Sequence, residues 1–515
     1  MANFSGWIKD ITIPPPSLQD NTGDADRIID FLKHELDVDT VDIDMGLLKT
    51  LPAIIRKSNY SVRTILVKDG SRWLITGIMP KDEAGIAAGL AVDLGTTMIV
   101  IRLIDLLTGN TMGETSFLNP QRVIGPDILT RLHFADQNGG LEQLNRLIID
   151  GLNQNIKKLS LSCGITENDI YLVSAAGNTA MTHLFLDLDP HWIIREPYIP
   201  VINRPNFLKA SDLGLMTNLF SRVFVFPNIG SYFGGDLIAG ILFSGLNKIE
   251  ETAILVDVGT NAEVVLGNKS WLMACAGAAG PALEGGVTKM GMMAGPGVID
   301  KVHPDPSTHG IKLHTIEGKA PIGICGSGLI DLAAYFFLSN VIDMRGKFIP
   351  SQCNGRLTKI DGIDHFIVVS ADEAIGREAL TISQVDMDSL IRSKAAMFTI
   401  LETITTHVGV PLNNLSKFYV AGTFGSFINP ESAIAIGMLP DLPVERYKAL
   451  GNSSLGGATM ALLSSDSIAE IDRIRNSITY MELNVNQEFM NRFSAAKFIP
   501  HTDPLRFPSV KIPDH

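Results

Sequence analysis

The sequence contains few cysteines and no grouping of them that would hold a metal cluster or a disulfide framework. Four are present in 515 residues, namely Cys163, Cys275, Cys325 and Cys353. No pair has the two-residue spacing of a zinc or iron–sulfur motif, and no histidines accompany them. We therefore expect buried thiols and no iron–sulfur cluster in this chain.

An excess of basic residues and a long apolar run are also missing. The formal net charge is −13 at pH 7, which argues against nucleic acid or an acidic membrane surface as a partner. Charged residues interrupt the apolar runs before they reach the length of a membrane span, and the first residues lack the apolar core of a signal peptide. These absences predict a cytoplasmic protein that binds no nucleic acid and no membrane.

What the sequence does contain is typical of a packed α/β protein with several domains. Hydrophobic residues make up 45% of the chain and charged residues 19%, which argues against disorder, and 515 residues exceed what one core usually serves. The strand and helix patterns predict an extended leader over residues 1–25, a small α/β domain over 26–88, a layered α/β region over 89–480 and a tail over 481–515 that packs on it.

Two apolar runs of the layered region end in the same way. The stretch "AVDLGTTMIVIRLID" places Asp93, Gly95, Thr96 and Thr97 between two predicted strands. The stretch "AILVDVGTNAEVVLGN" repeats the pattern with Asp257, Gly259, Thr260 and Asn261. In each copy the glycine allows a tight turn, and the amides and polar side chains that follow it suit phosphate oxygens.

The two aspartates indicate a cation. A carboxylate beside a phosphate would repel it, so Asp93 and Asp257 make sense with Mg²⁺ between them and the phosphates, usually through bound water. A single copy is better explained as an ordinary strand end followed by a turn. The repetition implies two similar halves, the second beginning near residue 252, with a nucleotide in the cleft between them.

In this arrangement the sequence resembles the superfamily of acetate and sugar kinases, heat-shock chaperone ATPases and actin. Its members have two phosphate hairpins, two connecting helices and an adenosine loop in a fixed order. The stretches "GGDLIAGILFSG" and "GNSSLGGATMALL" stand where the connecting helices belong, and their small residues would let the two backbones cross closely. The stretch "VAGTFGSFINP" has the form of the adenosine loop. The resemblance implies a two-lobed actin-like ATPase fold of duplicated ribonuclease-H-like lobes, preceded by a small α/β domain, which binds ATP and Mg²⁺.

The resemblance implies that Asp93 and Asp257 are catalytic, and it implies roles for other residues as well. Asp236, which opens the first connecting helix, matches an acidic residue that orients or deprotonates the attacking group. The alternative is that Asp236 only stabilises the amino terminus of its helix. The adenosine loop would contribute Gly422, Thr423 and Gly425, and Glu284 in "GPALEGG" would point towards the ribose or base.

Several longer motifs are similar to one branch, the ATP-dependent reductive activators of corrinoid proteins. They are "AAGNTAMTHLFLDLDP", "SYFGGDLIAGIL", "DVGTNAEVVLGN", "CAGAAGPALEGG", "PIGICGSGLIDL" and "AGTFGSFINPESAIAIGMLPD". The resemblance covers almost the whole chain. It implies that ATP hydrolysis drives the one-electron reduction of a corrinoid protein from Co(II) to Co(I), and it leaves a homodimer open.

The sequence departs from that branch in one respect. Typical members carry an amino-terminal [2Fe–2S] domain, whereas no cysteine precedes Cys163 here. We therefore expect a separate low-potential electron donor such as a ferredoxin, unless the redox task has been lost. A small-molecule kinase acting on a sugar or carboxylate, and a non-catalytic nucleotide-gated scaffold, are the alternative functions.

Three polar residues that follow one predicted strand could each have a structural or a functional role. His183 lies on an apolar helix face, where a packed or hydrogen-bonded ring is expected before a metal ligand. Asn178 and Thr179 stand at a strand-to-helix junction and would either cap the helix or contact the nucleotide.

Overall fold

The computed structural model describes residues 6–82, 85–259, 261–278, 288–305, 310–375, 378–422, 428–483 and 487–513. The chain forms two compact units. Unit 1 comprises Met1–Phe243 and Ser453–Asn476, and unit 2 comprises Ser244–Asn452 and Ser477–His515. No helix in the described part of the chain combines the length and apolarity needed to cross a membrane.

The first part of unit 1 is a four-stranded sheet with three helices. Its elements are β1 (Ile8–Thr12), α1 (Asp24–Leu36), β2 (Val41–Ile43), α2 (Met45–Leu48), α3 (Leu51–Lys57), β3 (Ser61–Asp69) and β4 (Arg72–Pro80), and the strand order is β1-β3-β4-β2. Strand β1 lies inside the segment for which we predict an extended leader, and it pairs antiparallel with β3. Trp7 and Ile11 are buried, so the apolar side chains of this segment anchor it to the sheet.

The second part of unit 1 is a six-stranded sheet with helices. Its elements are β5 (Ala88–Leu94), β6 (Met98–Asp105), β7 (Thr111–Leu118), α4 (Ile128–Ala135), α5 (Gly140–Ser162), β8 (Ile170–Gly177), α6 (Thr179–Phe185), β9 (Leu208–Lys209), β10 (Arg222–Val225) and α7 (Gly235–Ser244). The strand order is β7-β6-β5-β8-β10-β9. The antiparallel meander β5–β6–β7 is extended on the β5 side by the parallel strands β8 and β10.

Unit 2 contains a second six-stranded sheet and two small sheets. Its elements are β11 (Ala253–Val258), β12 (Asn261–Asn268), β13 (Trp271–Ala278), β14 (Val298–Asp305), β15 (Gly310–Thr315), β16 (Gly323–Ile324), α8 (Gly326–Leu338), β17 (Leu357–Ile360), β18 (Ile363–Val369), β19 (Leu380–Ser383), α9 (Gln384–His407), β20 (Phe418–Ala421), α10 (Pro430–Ala435) and β21 (Tyr447–Gly451). The chain then returns to unit 1 with α11 (Ser453–Leu463) and α12 (Asp466–Ser477), and ends in unit 2 with β22 (Ile478–Tyr480) and α13 (Gln487–Ala496).

The large sheets of the two units repeat one arrangement. The order in unit 2 is β21-β20-β11-β12-β13-β22, where the antiparallel meander β11–β12–β13 is extended on the β11 side by the parallel strands β20 and β21. Strands β5, β6, β7, β8 and β10 of unit 1 therefore correspond to β11, β12, β13, β20 and β21. This repetition agrees with the predicted actin-like fold of duplicated lobes.

The last residues of unit 2 are held by a buried lysine of α9. The Nζ atom of Lys394 donates hydrogen bonds to the carbonyl oxygens of Phe498, at 2.5 Å, and Pro500, at 2.8 Å. Burial lowers the pKa of Lys394 well below its usual value. Arg506 adds an ion pair to Glu402 of the same helix.

The helices that the sequence places around the second hairpin, α7 and α11, lie in unit 1 and cross closely. A Cβ atom added at Gly457 of α11 would lie 2.2 Å from the carbonyl oxygen of Ala239 in α7. At the neighbouring Gly456, the added Cβ would instead meet the ring of Phe243, 2.5 Å away. The close crossing predicted from the small residues of the two stretches is therefore present, and it depends on Gly457.

We expect Gly457→Ala to destabilise unit 1 by about 1–3 kcal/mol, because the new methyl group collides with the backbone of α7. Gly456→Ala is the matched control. Phe243 is 40% exposed, so its ring can turn away, and alanine favours a helix over glycine by about 1 kcal/mol. The urea unfolding midpoint of each variant measures the difference; equal midpoints would show that the backbones can separate without cost.

Candidate functional site

The first hairpin of the sequence prediction joins β5 and β6 through Gly95, Thr96 and Thr97. Its strands are in register from Leu94, opposite Ile99, and Asp93 lies opposite Val100. A Cβ atom at Gly95 would lie 2.1 Å from the carbonyl oxygen of Met98, so the turn is too tight for any side chain there. Glycine at this position therefore follows from the shape of the turn itself.

A buried asparagine holds the carbonyl side of this turn. The Nδ2 atom of Asn119 donates to the Gly95 carbonyl at 2.9 Å, and its backbone N–H donates to the Thr97 carbonyl at 2.9 Å. Asn119 is only 1% exposed, and its Oδ1 atom accepts from the N–H of Gln121 at the start of a 3₁₀ helix. Asn119, which sequence reasoning did not identify, therefore fixes the conformation of the turn.

Asn178 connects the hairpin to the end of β8. Its Nδ2 atom donates to Oγ1 of Thr96 at 3.1 Å, and its Oδ1 atom accepts from the N–H of Met181 at 2.8 Å. The second contact is an amino-terminal cap of α6, which confirms the capping role proposed for this residue. Thr179 donates from its hydroxyl to the carbonyl of Gly230. A contact of either residue with nucleotide stays a prediction.

Asp236 is brought to the same end of β8 by two glycines. A Cβ atom at Gly234 would lie 2.4 Å from Cα of Asn178, and one at Gly235 would lie 2.8 Å from the carbonyl oxygen of Phe226. The half-buried Asp236 follows in the first turn of α7, and its Oδ1 atom accepts from the N–H of Leu237 at 2.9 Å. The carboxylate therefore does lie at a helix amino terminus, and its catalytic role stays a prediction.

Asp93 has a partner that is distant in sequence. The hydroxyl of Ser454, in the first turn of α11, donates to Oδ1 of Asp93 at 2.8 Å. Because β5 and β8 are parallel, Asp93, Thr96, Asn178 and Asp236 lie around the carboxyl ends of neighbouring strands, where α/β proteins commonly bind their ligands.

The second hairpin in unit 2 repeats the surroundings of the first. Asp257 lies on β11 opposite Ala421 of β20, as Asp93 lies opposite Ala176 of β8. The residue that follows each alanine is a glycine, Gly422 or Gly177.

These two glycines make matching contacts. A Cβ atom at Gly177 would lie 3.1 Å from the Leu94 carbonyl oxygen, and one at Gly422 would lie 3.1 Å from the Val258 carbonyl oxygen and 2.9 Å from Oδ1 of Asp257. Gly422 also has a φ of +84°, which favours glycine. An Ala-Gly pair after a strand was therefore a second internal repeat, visible in "AAGNT" and "VAGTF", that sequence reasoning missed.

Two of the remaining predicted site residues, Gly259 and Asn261, belong to the second hairpin. Gly259 follows β11 directly, and Asn261 begins β12 with its backbone paired to Ala278. Four residues lie outside the described part of the chain: Thr260, Glu284, Thr423 and Gly425. The roles given to all of these residues stay predictions.

His183 is a packed side chain, as expected. It is fully buried, its Nδ1 atom donates to the Thr179 carbonyl at 2.7 Å, and its Nε2 atom accepts from the N–H of Val201 at 3.0 Å. Burial lowers the pKa of His183, which favours the neutral ring. Both ring nitrogens are therefore occupied by backbone groups.

The cysteines are free thiols in separate elements. Cys275, Cys325 and Cys353 are buried and Cys163 is partly buried. Burial raises the pKa of Cys275 and of Cys353, which disfavours the thiolate that metal binding requires. Among the described residues, no group of three or more histidine, cysteine and acidic side chains is placed to hold a metal ion.

Comparison with known proteins accounts for nearly the whole chain. The model of the "RACo linker region" matches residues 7–85, that of the "RACo middle region" matches 88–249, and that of the "C-terminal domain of RACo the ASKHA domain" matches 251–511. The chain is 30% identical over 479 residues to the corrinoid activation enzyme RamQ of Eubacterium limosum, which covers 88% of this chain and 79% of RamQ.

Two further relatives are similar over most of their length. The chain is 24% identical over 440 residues to a Co(II) methylated amine-specific corrinoid protein reductase of Methanosarcina barkeri, covering 78% of this chain and 75% of that protein. A solved structure of a reductive activator for corrinoid, iron–sulfur protein superposes with a TM-score of 0.88 and 36% identity over 98% of this chain and 81% of that chain.

We expect Asn119→Asp to weaken ATP binding at least roughly tenfold, because a carboxylate oxygen would face the Gly95 carbonyl and push the turn out of shape. Asn145→Asp is the matched control, since Nδ2 of Asn145 also donates to backbone carbonyls, those of Leu184 and Phe185, but not to the hairpin. Calorimetric titration with ATP measures the affinities. Equal affinities in the two variants would contradict a role of Asn119 in shaping the turn.

Proposed function

The chain belongs to the RACo family, and on that premise we propose that it is an ATP-hydrolysing reductive activator of a corrinoid protein. The observation that carries the proposal is the second strand–Asp–Gly hairpin, which repeats the first hairpin together with its neighbouring Ala-Gly strand end in the other unit. In each hairpin, the amides and polar side chains that follow the aspartate suit phosphate oxygens. The names of the matched relatives support the corrinoid protein as the partner.

The donor set of the two hairpins fits Mg²⁺. Asp93 and Asp257 offer carboxylate oxygens, the ligand type that Mg²⁺ prefers. A Cβ atom at Gly422 would lie 2.9 Å from Oδ1 of Asp257, so glycine leaves room beside that carboxylate. In our proposal these two aspartates hold Mg²⁺, mostly through water. A cation held there would neutralise negative charge on the phosphates of bound ATP.

The residues of the chain itself would bind and orient the nucleotide. The amides of the first turn and the hydroxyl of Thr96 would contact phosphate oxygens, with Asn119 and Asn178 holding them in place. Asp236 would orient the attacking water and accept its proton. ATP and water then yield ADP and phosphate.

The redox step requires one electron from a donor other than the described residues of this chain. Co(II) of the corrinoid gains one electron to become Co(I), and the donor is oxidised by one electron. We propose a separate low-potential donor such as a ferredoxin. The support is that all four cysteines are free thiols in separate elements.

We expect Asp257→Ala to lower the turnover number for ATP hydrolysis at least roughly a hundredfold, because it removes a carboxylate that holds the cation. The fold should persist, since Asp257 is only partly buried. Asp364→Ala, which removes a more exposed carboxylate from β18 of the same unit, is the control and should hydrolyse ATP normally. Phosphate release and circular dichroism are measured together; a wild-type rate in Asp257→Ala would refute the assignment.

We also expect reduction of a cognate corrinoid protein to require three components together: ATP, this protein and a low-potential reductant. The cobalt spectrum, followed without oxygen while each component is omitted in turn, measures the conversion of Co(II) to Co(I). Reduction that proceeds equally without ATP would contradict the proposal. Stoichiometric phosphorylation of a sugar or carboxylate would favour the kinase alternative instead.

A further inference from the structure

The first turn of α11 contains a buried hydroxyl that contacts a site carboxylate. Ser454 is 6% exposed, and its Oγ atom lies 2.8 Å from Oδ1 of Asp93. The two residues are 361 positions apart in sequence, and both belong to unit 1. The contact therefore exists only because the chain returns to unit 1 after passing through unit 2.

The position of α11 is fixed along its length. The helix packs against β5 and β8, and Gly457 brings its backbone against Ala239 of α7. The hydroxyl of Ser454 is thus presented to Asp93 by a helix that cannot easily shift.

We propose that Ser454 is a positioning residue that orients the Asp93 carboxylate for Mg·ATP. The proposal rests on the proposed function, in which Asp93 holds the cation. The hydrogen bond to Oδ1 restricts rotation about the Cβ–Cγ bond of Asp93 and so sets the direction of its other oxygen. Fixing a ligand in advance removes an ordering cost from each binding event.

A hydroxyl suits this task better than a basic side chain would. A lysine or arginine at position 454 would neutralise Asp93 and compete with the cation for its oxygens. Serine donates one hydrogen bond and brings no net charge, so the carboxylate retains its full attraction for Mg²⁺. The choice of residue is therefore consistent with orientation and not with charge compensation.

The test uses Mn²⁺ as a paramagnetic substitute for Mg²⁺. Free Mn²⁺ is measured by its electron paramagnetic resonance signal while the full-length protein is titrated with Mn·ATP. We expect Ser454→Ala to weaken Mn·ATP binding roughly tenfold, as loss of a hydrogen bond to a charged group implies, and Ser454→Thr to restore it. Ser454→Ala should also show a higher Mg²⁺ requirement for ATP hydrolysis, and Ser454→Thr should not. Ser454→Cys, similar in size but a poor donor, should behave like alanine without leaving a cavity.

Thr459→Ala is the control on the same helix, because its hydroxyl contacts Arg102 and the Leu455 carbonyl and no site carboxylate. It should bind Mn·ATP like the wild type. The inference is overturned if Ser454→Ala and Ser454→Cys bind Mn·ATP with wild-type affinity, or if Thr459→Ala weakens binding equally. Asp93→Asn is measured in parallel to separate the two proposals. Wild-type hydrolysis in Asp93→Asn would refute the proposed function. Loss of hydrolysis in Asp93→Asn, together with wild-type Mn·ATP binding in the Ser454 variants, would refute only the role of Ser454.

Discussion

The pairing of a parallel strand with an antiparallel hairpin is the constraint on which the rest of the site depends. Asp93 is opposite Ala176 and Asp257 is opposite Ala421, so each carboxylate stands beside the last residues of a parallel neighbour. Shifting either register by one residue would turn the aspartate to the other face of its sheet. The glycine after each alanine then lets the neighbouring strand end close to the hairpin. Thus one register, used twice, determines where the candidate phosphate-binding groups lie.

The hairpin of unit 1 is supported by a layer of buried polar side chains. Asn119 donates to the turn, and Gln121 and Arg131 lie beneath it, with Arg131 donating to the Gly125 carbonyl at 2.9 Å and to Oε1 of Gln121 at 3.3 Å. Burial lowers the pKa of Arg131 to about 10, so the guanidinium is still charged at neutral pH. Buried polar groups are costly unless hydrogen-bonded, so the bonds that Arg131 makes through Nε and Nη1 restrict how this layer can be arranged. In the proposed site, such a base would hold the donors of the turn in place for a phosphate before it binds.

Much of this could be predicted from local sequence. Both aspartate hairpins follow from an apolar run, an acid and a glycine. The contacts that were missed depend on residues far apart. Nothing near Ser454 indicates that its hydroxyl reaches Asp93, and nothing near Asn119 indicates that it holds Gly95. Strand β1 was also missed, because its pairing with β3 decides its conformation more than its own composition does. The Ala-Gly repeat was visible but too short to stand out without the register.

The proposed coupling of ATP to reduction places a physical demand on these contacts. A ligand shifts a conformational equilibrium only by the difference in its affinity for the two states. ATP and ADP differ by the terminal phosphate, so in this proposal the groups that contact this phosphate account for any difference in how the protein acts on a corrinoid partner. In the proposed site these groups are the hairpin residues, and Thr96 is already joined to Asn178, which caps α6, while Asp93 is joined to α11. The side chains that shape the proposed site also contact the surrounding helices. Loss of the terminal phosphate would therefore act on those helices through these side chains.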